Sequence, residues 1–589
     1  MTQYYDDRAD RYLSETTQLK KRYDTYSFFR LLLALAMISA LYFTIASGHR
    51  AYGVVFAVLL VVFVQCVKKH RSILWQKRIA ENLRTINREE SDFLTSGKKP
   101  FNDGARYTDS SHFYTYDLDV FGPDSLFQHL NRTTTYVGEA KLARSLNRPY
   151  SAEEVLLRQE AIKELSADVE GRQRVSALGR MMQDNETGYR QLLAWSENRE
   201  NAVTRPVMIL AFVLPALFIF TLGGLLAGWI TWKWMVVAFT ANLMLTGTQL
   251  KKIKSELIDS GNVAEIIRHY GLILGAMETG HFRSALLTKW QETLGRDDRN
   301  TGKKLEQLSK FFLKLQGINF DLGALALNGT VTYHIHALRS LLQWKQAHAA
   351  ELHNWLEVMG EIEALNSYAN FAFNNPGYTY PALTPDLVVD FEEMGHPLIR
   401  DNARVDNSIR LTPDNFMILT GSNMSGKSTF LRALGVNMVL AGTGAPVCAQ
   451  HARVHLMPVL VSMRQSDSLS SGESYFFAEV KRLKAIMDQL ELQPCLVLLD
   501  EILRGTNSDD KQSGTIGVIK RIISRPSLGG IATHDLAVCR LTDEYPDRLE
   551  NKNFEVEIVN GELVFDYKLR SGICRNKSAT FLMKKMEII

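Results

Sequence analysis

The residues Gly421, Ser422, Asn423, Met424, Ser425, Gly426, Lys427, Ser428 and Thr429 fit the pattern G-x-x-x-x-G-K-[ST]. They follow an apolar run, Phe416–Thr420, and precede a helical stretch, Phe430–Leu440. Glycines at both ends let the backbone wrap an anion, so that successive N–H groups and the start of a helix face phosphate oxygens. In that arrangement Lys427 reaches the β/γ-phosphates and Ser428 ligates Mg²⁺. A glycine-rich turn without a ligand is the competing reading.

Three further clusters gain meaning beside this loop. The apolar run Leu496–Leu499 ends in Asp500-Glu501. An acid at the carboxyl end of a buried strand can hold Mg²⁺, and the next carboxylate can polarise an attacking water. Asp500 is thus the metal residue and Glu501 the general base. Ala532-Thr533-His534-Asp535 follows another apolar run, and His534 there can sense a γ-phosphate or position the water, unless it is simply a solvated loop histidine. The hydroxyl-rich stretch from Ser468 to Ser474, with Ser471 at its centre, has the form of a second anion-binding helix start, or of an ordinary helix cap. Because the chain already has a loop for its own phosphates, this one would face a nucleotide held by another subunit.

These clusters need a scaffold. Beyond Pro376-Gly377 and Pro381, short apolar runs (FMILT, VLVSM, LVLL, GIAT) alternate with helical stretches, the grammar of an α/β domain with a parallel sheet. Residues 124–198 and 255–372 are patterned as helices. His334, His336, His348 and His353 lie in the second stretch without an acidic or cysteine partner at ligand spacing, so core or surface roles are expected of them. The chain has 589 residues, too many for one core, and its 68 basic and 64 acidic side chains leave a net charge of +4. That balance excludes a uniformly basic nucleic-acid sleeve. Five scattered cysteines exclude a disulfide framework or a zinc ribbon and suit a reducing compartment.

Four uncharged apolar runs stand out: 31–47, 51–67, 206–232 and 234–250. Each is long enough, or nearly so, to cross about 30 Å of hydrocarbon at about 1.5 Å per residue. Their short connections make two helical hairpins. Lys20, Lys21 and Arg22 precede the first; Lys68, Lys69 and Arg71 follow it, and Lys251 and Lys252 follow the second. The positive-inside rule then places both termini and the middle segment in the cytosol, with the chain multi-pass in the inner membrane. Trp229, Trp232 and Trp234 at the second turn suit a membrane interface. Buried soluble helices are the alternative.

Together the motifs resemble the MutS family of ATPases. TGSNMSGKST (420–429) is similar to the family's phosphate loop, DSLSSGESYFFAEV (467–480) to its subunit-crossing serine loop, LVLLDEILRGTNSDD (496–510) to its Mg²⁺ strand and ATHD (532–535) to its histidine loop. Gly395-His396-Pro397 and the stretch 126–165 also resemble family segments. The resemblance implies ATP and Mg²⁺ as cofactors, a homodimer, Ser471 and Ser474 acting on the partner's nucleotide, and DNA as a partner by family expectation. Combined with the apolar runs, it gives a multidomain fold: a region 1–115 with a membrane hairpin, a helical core and lever domain at 116–375 interrupted by the second hairpin, and a P-loop ATPase domain of ABC type with a parallel sheet at 376–589.

Departures accompany it. The family's mismatch wedge has no counterpart in the first 115 residues, the second apolar hairpin takes the place of the DNA-gripping clamp, and no nuclease-like extension is expected at the end. Leu503 stands where glycine is usual. Three functions follow: a membrane-anchored sensor of mismatched or damaged DNA, a membrane ATPase acting on a protein or lipid partner, and a transporter, disfavoured because no LSGGQ sequence is present. Arg172, Arg174, Arg180, Arg190, Arg199 and Arg205 are candidates for a DNA surface, or else for a solvated helix face and an inner-leaflet belt.

Overall fold

The computed structural model describes residues 1–182, 184–198, 202–257, 263–295, 300–319, 321–422, 424–464, 475–559 and 562–574. Its first feature is a pair of very long antiparallel helices, Thr2–Ser47 and Arg50–Ser96, with Gly48 in the left-handed conformation (φ 67°) ending the first. Neither helix contains proline, so the hydrogen-bond ladder runs unbroken from polar base to apolar tip. The bases pack on the protein through Tyr5, Ala9, Tyr12, Ile86 and Phe93. Polar contacts fix that docking: Tyr5 Oη donates to Asn374 Oδ1 at 2.7 Å, and Arg132 pairs with buried Glu90. The tips, from Phe28 to Ile45 and from Val54 to Val64, expose large apolar side chains instead.

A helical body follows, from Leu126 to Asn374. Its spine is a 42-residue helix, Tyr333–Asn374, against which Tyr136–Asn147, Ala152–Ala167 and Thr301–Gln316 pack. Ser151 and Glu154 form a capping box that starts the helix Ala152–Ala167. The second hairpin, Arg205–Leu226 and Trp232–Glu256, projects from this body. Pro215 sits inside the first of its helices and cannot donate to the carbonyl of Ala211. That carbonyl is served from the spine region, by Thr332 Oγ1 at 3.0 Å and His336 Nε2 at 3.2 Å.

Three described helices are long and apolar enough to cross a membrane: Thr2–Ser47, Arg50–Ser96 and Arg205–Leu226. The fourth expected run, 234–250, lies in the 25-residue helix Trp232–Glu256 and does not reach the same hydropathy. Thr240, Asn242, Thr246, Thr248 and Gln249 dilute its apolar content.

The C-terminal part is α/β. Its strands are β1 (Ala382–Leu383), β2 (Val389–Met394), β3 (Asn407–Leu411), β4 (Phe416–Gly421), β5 (His451–Val454), β6 (Val459–Ser462), β7 (Leu496–Asp500), β8 (Leu528–Ala532), β9 (Leu549–Val559) and β10 (Glu562–Ser571). One sheet has the order β1-β5-β2-β3 and the other β10-β9-β4-β8-β7-β6. In the larger sheet β9, β4, β8, β7 and β6 are parallel, while β10 is antiparallel to β9. The expected parallel sheet is thus a mixed one, because the β9–β10 hairpin closes its edge. Strands β4, β7 and β8 are buried along their whole length, as unbroken apolar runs between two helical layers must be.

The opposite edge is closed by the segment around Phe113–Asp117. Val461 of β6 donates to Phe113 O at 2.8 Å, and Asp117 Oδ1 accepts from the backbone N–H groups of Met463 and Arg464 at 2.8 Å each. The stretch that leaves the first hairpin therefore covers an otherwise open strand edge of the α/β domain.

Candidate functional site

The loops after β4, β7 and β8 meet at the carboxyl ends of adjacent parallel strands, where open α/β sheets form ligand crevices. The loop 421–426 leads into the helix Lys427–Thr443. Gly426 has φ 103°, a conformation side chains disfavour, and a Cβ there would lie 3.1 Å from the Tyr567 ring. A Cβ at Gly421 would lie 2.6 Å from Ser425 Oγ and 2.9 Å from the Phe554 carbonyl. The hydroxyls of Ser422 and Ser425 are buried without a protein partner. A tight loop with orphaned donors at a helix start fits an anionic ligand. Asn423 of this loop lies outside the described residues, whereas Met424 is highly exposed and Thr429 lines the cleft.

Lys427 is buried, and its Nζ donates to Gly421 O at 2.9 Å and Ser422 O at 3.0 Å. Burial pushes its pKa down, against the opposing charges of Glu501 and Asp500. Ser428 Oγ donates to Asp500 Oδ2, so hydroxyl and carboxylate converge on one point, as two ligands of one divalent cation can. Among the described residues no group of three histidine, cysteine or acidic side chains is arranged to hold a metal ion.

Glu501 and His534 face each other, Glu501 Oε1 lying 2.6 Å from His534 Nε2, and the same nitrogen is 3.3 Å from Lys427 Nζ. The hydrogen bond from His534 is the main cause that holds the Glu501 carboxyl down at about 2, with Arg504 and Lys427 adding to it against burial. Glu501 is therefore a carboxylate throughout the neutral range. Lys427, Ser428, Asp500, Glu501 and His534 thus come together. Ser471 and Ser474 lie outside the described residues. The helix that follows them, Tyr475–Leu490, is tied back to the β7 turn, because Glu479 Oε1 accepts from Leu503 N at 2.6 Å.

The turn after β7 is strained. Glu501 (φ 47°) and Leu503 (φ 61°) both adopt the left-handed region without being glycine. Leu503 is nonetheless buried in a core cluster with Ile502 and Ile519. Relieving the backbone would gain about 1–2 kcal/mol. Removing a buried leucine side chain costs about 2–5 kcal/mol. Packing wins, so Leu503→Gly is expected to lower stability by roughly 1–3 kcal/mol in thermal unfolding of the full chain. An increase would mean that backbone strain outweighs packing at this turn.

A cleft of about 430 Å³ opens beside the loop, lined by His396, Arg404, Asn407, Phe554 and Tyr567 as well as Met424–Phe430 and Glu501. Burial and the nearby Arg432 push His396 down to about 4, so it faces the cleft as a neutral ring. Arg404, Asn407 and Tyr567 lie outside every motif quoted above, so nothing in the sequence singled them out. Arg504, which pairs with Glu501 at 3.3 Å, sits inside the motif 496–510 and could have been singled out there.

Comparison with known proteins fits this geometry. The profile of MutS domain V matches residues 417–586. This part of the chain is a MutS-family ATPase domain. The DNA mismatch repair protein MutS of Methanosarcina barkeri is 31% identical over 241 residues, 39% of this chain and 26% of that protein. The MutS of Salinibacter ruber is 30% identical over 227 residues, 37% of this chain and 25% of that protein. The human MutS protein homolog 4 is 26% identical over 238 residues, 38% of this chain and 25% of its own length. The chain thus spans about a quarter of the length of the curated relatives it matches. The MutS-type domain begins at β4 and includes every motif of the site.

Proposed function

We propose that this chain is a membrane-anchored MutS-type ATPase, working as a homodimer, whose nucleotide cycle moves its helical body and hairpins. The observation that carries this is the convergence of Lys427, Ser428, Asp500, Glu501 and His534 at one crevice beside the loop 421–429. In this reading Gly421–Thr429 hold the phosphates of ATP, with Lys427 as the cationic contact. Ser428 and Asp500 hold Mg²⁺, which when bound supplies charge neutralisation on the phosphates. Glu501 orients and polarises the attacking water, and His534 fixes the Glu501 carboxylate and lies within reach of Lys427. Ser471 and Ser474 would approach the nucleotide of the second copy, as the family resemblance implies.

The membrane assignment rests on the exposed apolar tips of the first hairpin and on Arg205–Leu226, with basic residues at their ends. The α/β domain then lies in the cytosol under the inner membrane. Large exposed apolar surfaces on a protein mark interaction sites, membrane among them.

The curated relatives are named for DNA mismatch repair, which makes mismatched or damaged DNA the first partner to test. One observation favours the second reading, a protein or lipid partner. Among the proposed DNA-facing arginines, Arg172 is buried and bonded to Asn370, Arg180 pairs with Glu89 and Arg190 pairs with Glu186. Arg199 lies outside the described residues. Duplex binding by the full chain in detergent, with and without a mismatch, at physiological salt and with ATP, separates the two. Mismatch-selective binding supports the DNA role; hydrolysis without any binding retires it. Absence of hydrolysis in every condition overturns the ATPase itself.

A further inference from the structure

The helix Asp321–Val331 is turned inside out. From Leu322 onward its exposed side chains are Leu322, Leu325, Ala326, Leu327 and Val331, with Leu322 82% exposed, and Gly323 is open beside them. Its buried polar side chain, Asn328, turns the other way. Asn328 is buried, its Oδ1 accepting from the His334 backbone N–H at 3.1 Å and lying 2.9 Å from His334 Nδ1. Thr330 Oγ1 donates back to Ala326 O at 2.7 Å. A helix on the surface of a water-soluble protein shows the opposite polarity, with apolar groups inward and polar groups in water.

The helix is also continuous with the second hairpin. Phe239 packs so closely on Gly329 that a Cβ there would lie 2.2 Å from its ring, and buried Asn242 Nδ2 donates to Gly329 O at 3.1 Å. The chain then breaks at Thr332 (φ 47°), whose hydroxyl serves the carbonyl freed by Pro215. A helix break at membrane depth is tolerated only where its backbone groups are satisfied by protein; here the Thr332 N–H donates to Asn328 O at 3.2 Å, the His334 N–H donates to Asn328 Oδ1, and Gly329 O accepts from Asn242. At eleven residues it is about 16 Å long, half a bilayer.

Resting on the membrane reading above, we propose that Asp321–Val331 is a third, re-entrant membrane element whose exposed face is covered by lipid acyl chains. It shares Arg205–Leu226 and Trp232–Glu256 as its protein wall. Its apolar face continues theirs, and it compensates for the diluted hydropathy of Trp232–Glu256 by covering the polar Asn242 side.

The test uses the wild-type chain in phosphatidylcholine liposomes carrying an acyl-chain photoreactive lipid, with trypsin and mass spectrometry as readout. Leu315–Arg339 is one tryptic peptide. It is expected to carry label at Leu322, Leu325 or Leu327, as are the peptides of Arg205–Leu226, while Thr301–Lys310 stays unlabelled. A second arm places an environment-sensitive fluorophore at Leu325→Cys, Phe220→Cys or Lys310→Cys in a chain freed of its native cysteines and checked for ATP hydrolysis. Leu325 should behave as Phe220 does, quenched by lipid-borne quenchers and shielded from iodide, with Lys310 the reverse. Iodide quenching at Leu325 with Phe220 shielded overturns this proposal alone. Iodide quenching at both overturns the membrane reading with it. Cross-linking of Leu325→Cys between two copies, without lipid label, replaces lipid by a second subunit and overturns the proposal as stated.

Discussion

Glu501→Gln is expected to bind ATP with near wild-type affinity and to hydrolyse it about 10²–10⁴-fold more slowly, the usual contribution of a positioned general base. The substitution keeps the shape of the side chain and its ability to bond His534, so the loss isolates the charge. Phosphate release and fluorescent-nucleotide binding, on one preparation of the full chain, read the two quantities. Normal turnover would sink the assignment of Glu501. The wild-type pH profile gives a second reading. Because the folded-state pKa of Glu501 lies near 2, below its ordinary 4.5, its carboxylate is complete above about pH 4.5. The stability it contributes is lost only as pH falls toward 2, so a fall in rate near pH 6 cannot come from this group.

Lys427→Ala is expected to lose nucleotide binding, with Kd rising at least 100-fold. A charge-assisted hydrogen bond contributes about 1.5–3 kcal/mol. Tenfold in Kd is about 1.4 kcal/mol, and Lys427 adds a second effect. Its ammonium bonds the carbonyls of Gly421 and Ser422, so its removal also loosens the loop that must wrap the phosphates. Circular dichroism of the full chain separates this from misfolding. Lys427→Arg is not expected to restore binding, since a planar guanidinium cannot reproduce the point-charge contacts of the ammonium with the Gly421 and Ser422 carbonyls. Retained affinity in Lys427→Ala would remove the loop 421–429 from the nucleotide site.

The site was legible because its signals are local. Glycines at fixed offsets after an apolar strand announce the phosphate loop, and Asp500-Glu501 at the end of LVLL announces the second carboxyl edge. The structure brings those segments together because parallel strands β4, β8 and β7 are neighbours. What stayed hidden depends on contacts distant in sequence. That Phe113 closes the edge of β6 cannot be read from its own neighbours, and Tyr567 beside Gly426 is set by the register of a remote hairpin. The strained φ of Leu503 is invisible in a leucine. Helix Asp321–Val331 gives no membrane signal in the sequence because eleven residues fall below the length that marks a span.

The helix Tyr333–Asn374 touches both helical hairpins. Near one end Asn370 and Asn374 bond Glu90 at the base of the first hairpin, at 3.0 and 3.1 Å. At the other, Thr332 and His336 hold the Ala211 carbonyl of the second. At about 1.5 Å per residue the rod is roughly 63 Å long, so a tilt of about 5° about the end nearest the α/β domain sweeps the far end through roughly 5 Å, one helical pitch. Such a rod multiplies displacement and divides force by the same ratio. In the proposed cycle, a small rotation beside the α/β domain would therefore become a long, soft stroke at the Ala211 carbonyl, suited to re-seating that one hydrogen-bonded contact rather than to pushing against a bilayer.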